Sequence, residues 1–163
     1  MNGLPLHPAI VHVPLGLAVV VPLLALGLAI AIRKGMLPRS SWVIVVALQA
    51  VLVIGGLFAL RTGEQDEERV EDRVAEQAMD RHEALGERFV WSAGGTLVLS
   101  AAVLVLRSNP ATAVLMASTT LATLLTAGIG LQVGHTGGAL VHGPASAGAM
   151  ADGPPRGGAH DDD

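Results

Sequence analysis

The chain has 163 residues, of which 51% are apolar and 15% charged, with a formal net charge of -4 and a mean hydropathy of +0.55. That much apolar surface exceeds what one small soluble core hides, so the bilayer must take a large share of it. The absence of cysteine excludes disulfides, thiolate metal sites, iron–sulfur ligation and haem attachment through C-x-x-C-H. No basic stripe with interleaved aromatics is present, which argues against nucleic acid as a partner.

Four charge-poor apolar runs, at residues 9–32, 42–60, 89–106 and 111–133, each meet the length of about 20 residues that a bilayer core demands. The first carries Pro14 and Pro22, each lacking a backbone donor, and a kink is expected there. It lacks the basic flank of a cleaved signal and is longer than a signal's apolar core, so it reads as a retained helix. Gln49 falls near the middle of the second run and is expected to bond to a Ser or Thr of a neighbouring helix.

The loop between the second and third runs is patterned. Val70, Val74, Ala78, His82, Leu85 and Phe89 share one helical face, with charged residues opposite, which predicts an amphipathic extramembrane helix over 70–85. Gly86 offers a hinge between that helix and the third span. Small residues repeat every four positions along the fourth run, at Ser118, Ala122, Thr126, Gly130 and Gly134, and along the second at Gly55, Ala59 and Gly63. Both ridges are expected to face the bundle. Trp42 and Trp91, near span ends, are expected as interfacial anchors. The fold class is therefore an all-α, integral membrane four-helix bundle over 1–142, followed by a disordered tail rich in Gly, Pro, Ala and Asp over 143–163.

The short connections 33–41 and 107–110 must lie on one side, here called the turn side. The N-terminus, the loop 61–88 and the tail then share the other. The turn side carries Arg33, Lys34, Arg39 and Arg107 without a single acid, whereas all 14 acidic residues fall opposite. Basic short turns predict a cytoplasmic turn side, with both termini outside.

Every histidine falls on the side opposite the turns. His7 and His12 stand at the start of the first span, His82 in the loop and His135 just after the fourth span. Ionisable groups at a membrane bundle's end are functional candidates. The competing reading is a set of interfacial histidines bonded to loop carbonyls and water. His12 and His135 are expected at one level and form the preferred ligand pair, because His7 and His12 point about 140° apart on one helix. Glu64 and Glu68 follow the second span, so a metal set of His12, His82, His135, Glu64 and Glu68 is available; imidazole with carboxylate suits zinc, iron or manganese, and imidazole pairs suit haem b. HEALGE is not the H-E-x-x-H of a zinc protease, and no P-loop, nucleophile elbow or dinucleotide fingerprint is present.

Four stretches together carry a resemblance. LPLHPAIVHVP (4–14), TGEQDEERVE (62–71), HEALGE (82–87) and GHTGGALV (134–141) resemble the signature segments of the bacterial membrane family known as domain of unknown function 2231. The resemblance implies a four-helix membrane domain. Some members are fused to Rieske or cytochrome-like redox modules, which implies electron transfer and His7, His12, His82 and His135 as the residues to watch. After Val141, where the family pattern expects an aromatic residue and a Gly-rich continuation, this chain has His142, Gly143 and Pro144.

Two readings of function follow. The first is a redox-associated membrane subunit holding haem b or a divalent metal, with a redox protein as its partner. The second is a non-catalytic scaffold whose acidic loop docks a partner. Proton or ion passage is weaker, since the deeper membrane offers only Gln49 and scattered Ser and Thr.

Overall fold

The computed structural model describes residues 10–67, 76–106 and 109–142. Its elements are α1 (His12–Arg33), a 3-10 turn (Arg39–Trp42), α2 (Val43–Glu67), α3 (Glu76–Val105) and α4 (Asn109–His142). All four helices are long and apolar enough to cross a membrane. Helix is the form these runs must take in lipid, because it alone satisfies each backbone N–H and C=O within its own segment. Helices adjacent in sequence pack side by side and α1 meets α4, closing a ring in which α2 and α4 lie diagonally opposite.

Lengths distinguish the helices. At 1.5 Å per residue, α1 and α2, of 22 and 25 residues, roughly match a hydrocarbon core of about 30 Å. The 30 residues of α3 and 34 of α4 exceed it. Since α3 and α4 are joined by a short turn at one end, their excess length projects together at the histidine end.

The turn end is tightly finished. Gly35 takes a φ of 70°, and the Met36 N–H bonds to the Ala31 carbonyl at 2.9 Å, so α1 ends in a left-handed glycine cap. The Arg39 guanidinium donates to the Leu104 carbonyl at 2.7 Å, placing a cation on orphan oxygens at the C-terminus of α3. Trp42, 0% exposed, donates from Nε1 to the Ser100 carbonyl at 3.2 Å. It is a core anchor between helices, whereas Trp91, 82% exposed, faces outward as an anchor to the bilayer should.

The core has two apolar clusters. One, near the turns, joins Val21, Ala25, Trp42, Val45, Val103 and Met116; the other, toward the histidine end, joins Ala18, Leu52, Phe89 and Ala93. Between them on α2, α3 and α4 lie buried Gln49, Thr96, Ser100, Thr119, Thr123 and Thr126. Gln49 is buried as expected, but its Oε1 has no hydrogen-bond partner among the described residues.

Several expectations are corrected. Pro14 falls in the first turn of α1, where its missing donor would be unpaired anyway, so only Pro22 interrupts that helix. Residues 76–88 are the first turns of α3 and run through Gly86 without a break. Gly86 serves close packing: a Cβ there would stand 3.0 Å from Leu60. Leu85 and Phe89 are buried as the wheel requires, but Ala78 is exposed, and Val70 and Val74 lie outside the described residues. On α4 the four-residue ridge drifts, because four residues advance a helix by about 400°. Thr126 and Gly130 face the bundle, but Ser118 faces outward, and the buried line runs instead through Met116, Thr119, Thr123, Thr126 and Gly130.

Candidate functional site

The excess length of α3 and α4 carries the site. His82 lies in the second turn of α3, and GHTGG, expected just after the fourth span, is part of α4 itself. Glycine is a poor helix former, and packing compensates here. A Cβ on Gly130 would stand 3.0 Å from the Phe89 ring, one on Gly134 would stand 3.6 Å from Leu15, and one on Gly137 would stand 3.0 Å from Cε1 of His82. The glycines let the bulky residues of α1 and α3 lie directly on the α4 backbone.

His82 is therefore held from two sides. Its ring rests on Gly137, and its Nδ1 lies 2.9 Å from Oγ1 of Thr136. That hydroxyl has one proton, and it is also 3.1 Å from both the Gln132 and Val133 carbonyls, which accept but cannot donate. The Thr136 proton goes either to those carbonyls, with the hydroxyl accepting from Nδ1–H, or to Nδ1 itself, and the ring's tautomer decides between the two. When Nδ1 donates, the neutral ring carries its proton there and Nε2 is the acceptor nitrogen. Fixing one ring nitrogen so that the other is presented as a base is how metal-binding and general-base histidines are prepared.

The other residues singled out from sequence are placed less closely. His12 is the first residue of α1, at the helix end and not one turn inside it, and it is exposed. His135 is exposed on α4, which continues for two further turns beyond it. The His82 ring is tied to a neighbouring helix through Thr136. Among the described residues no three of His, Asp and Glu converge as a metal site. His7 and Glu68 lie outside the described residues, as does the side chain of Glu64. Glu83 and Glu87, which follow His82 on α3, are exposed.

Sequence reasoning passed over Thr136 and Gly137. Both stand inside GHTGG, where the histidine is the more conspicuous residue for metal chemistry. Its neighbours are what reach α3.

These features define a membrane protein with four long apolar helices and a histidine, His82, tied between the two longest. The family described as a predicted membrane protein family, DUF2231, matches residues 3–145, and the chain belongs to it. No curated protein and no solved structure matches the chain.

Proposed function

We propose that the histidine end of this membrane protein holds a divalent metal ion, with His82 as the principal ligand through Nε2. The observation that carries this reading is the 2.9 Å approach of Nδ1 to Thr136, which orients the ring from behind. Remaining ligands come from the exposed His12 and His135 and from carboxylates of the segment leaving α2, Glu64 and Glu68 among them, with His7 close in sequence to His12. Imidazole with carboxylate suits zinc, iron or manganese, and iron would make the end redox-active toward a partner protein.

Haem b between the helices is the poorer fit. Deeper than His82 the helices pack closely, with Phe89 against Gly130 and Leu15 against Gly134, which argues against a macrocycle between them. Elemental analysis of detergent-purified protein tests the proposal. Bound transition metal is expected in wild type and not in His82→Ala, with Thr136→Val losing affinity by about 10- to 100-fold. Metal-free wild type that still captures a membrane partner through its acidic loop would favour the scaffold reading.

The site's orientation is part of the proposal. Arg33, Lys34, Arg39 and Arg107 in acid-free turns support a cytoplasmic position for those turns in a cell membrane, with the histidine end and both termini outside. A C-terminal phosphatase fusion is expected to be active; bright cytoplasmic-type fluorescence from a fluorescent-protein fusion at the same position would reverse the assignment.

A further inference from the structure

The bundle carries a second polar feature, remote from His82. Between the two apolar clusters, α2 contributes Gln49, α3 contributes Thr96 and Ser100, and α4 contributes Thr119, Thr123 and Thr126, all buried. Most of these hydroxyls have partners. Thr96 bonds to the Ser92 carbonyl at 2.8 Å, Ser100 to Leu97 at 2.8 Å, Thr123 to Thr120 at 2.7 Å, and Thr126 to Ala122 at 2.9 Å and to Ser92 Oγ at 2.7 Å. Two atoms have none among the described residues: Gln49 Oε1 and Thr119 Oγ1, on residues 1% and 0% exposed.

Those two atoms belong to helices that face one another across the ring. Each sits one turn beyond a residue of the turn-side cluster, Val45 for Gln49 and Met116 for Thr119. The α1 surface there is lined by Ala18 and Ala25, which are small and buried, and by Pro22, which supplies no N–H to the Ala18 carbonyl four residues earlier. Buried polar atoms without partners are rare and costly, more so in a bilayer.

We propose that this layer is a hydration site, in which a bound water donates to Gln49 Oε1, bonds to Thr119 Oγ1 and links α2 to α4 across the bundle axis. Water suits the chemistry because it can donate to both oxygens. An alkali cation would also satisfy them, but none of the layer's side chains is charged, so it would stand uncompensated at the membrane centre.

Water-edited solid-state NMR on the full chain in deuterated lipid bilayers tests the site. Magnetisation transfer from water to the Gln49 side-chain amide and the Thr119 hydroxyl is expected in wild type. It should persist in Thr119→Ser, which keeps the hydroxyl, and be lost at Gln49 in Thr119→Val, while Gln49→Leu identifies the amide resonance. A Gln49 amide that receives no transfer in wild type means a dry layer and overturns the proposal. A Gln49 resonance that shifts when sodium is exchanged for choline means a cation site and overturns it too.

Discussion

The two ends of the bundle are finished by different chemistry. At the turn end, one short segment directs two side-chain donors at carbonyls near the C-terminus of α3, Arg39 to Leu104 and Trp42 to Ser100, and seats an indole in the core beside Val45 and Met116. At the histidine end, glycines of α4 bring Leu15, Phe89 and His82 against its backbone, and His82 with Thr136 joins α3 to α4 there by a polar contact. The turn end uses its polar groups to lock helices; the histidine end holds an ionisable ring against α4. Stability should therefore be concentrated at the first and ligand binding at the second.

The largest effect should come from the turn end. Trp42→Ala removes a fully buried aromatic and its hydrogen bond, and a loss of about 3–5 kcal/mol is expected from comparable truncations. A large fall in thermal midpoint in detergent would show it. If Trp91→Ala were as damaging, the separation of a core tryptophan from a lipid-facing one would be broken. Arg39→Ala comes next, because the Leu104 carbonyl loses a charge-assisted donor, at about 1–2 kcal/mol. Arg39→Lys should recover part of this, since an ammonium can also reach a carbonyl.

A neighbouring pair of glycines sharpens the comparison at the other end. A methyl on Gly137 meets the His82 ring, whereas a methyl on Gly138 meets nothing within 4 Å. Gly138→Ala should raise stability by about 0.5–1 kcal/mol through helix propensity alone. Gly137→Ala should displace His82 from Thr136 and weaken metal binding while the bundle still folds. Equal behaviour of the two variants would mean that Gly137 does not position the histidine.

Much of this contrast was legible from sequence, and the part that was not has a physical reason. Span length and hydropathy found four helices, because an apolar run of membrane length has few other fates. The wheel through Leu85 and Phe89 found the inward face of α3, since a helical period survives in any packing. Trp42 was misplaced because position near a span end does not tell a lipid-facing indole from one pointing inward; Arg39, three residues earlier, sets that direction by tying the segment to α3. The ends of α3 and α4 were also misjudged. Glycine and charge argue against helix locally, and only the opposite helix, which fits its side chains over Gly130 and Gly137, sustains it. His82 was one of several histidines until Thr136 stood beside it.

The central claim is that His82, fixed by Thr136 and Gly137, presents Nε2 to a metal. Cobalt(II) titration of chelator-washed protein, followed by its visible ligand-field bands, tests it most directly. Wild type and Gly138→Ala are expected to develop the bands with similar affinity, Thr136→Val and Gly137→Ala with weaker affinity, and His82→Ala not at all. Bands of undiminished affinity in His82→Ala, or none in wild type, would contradict it.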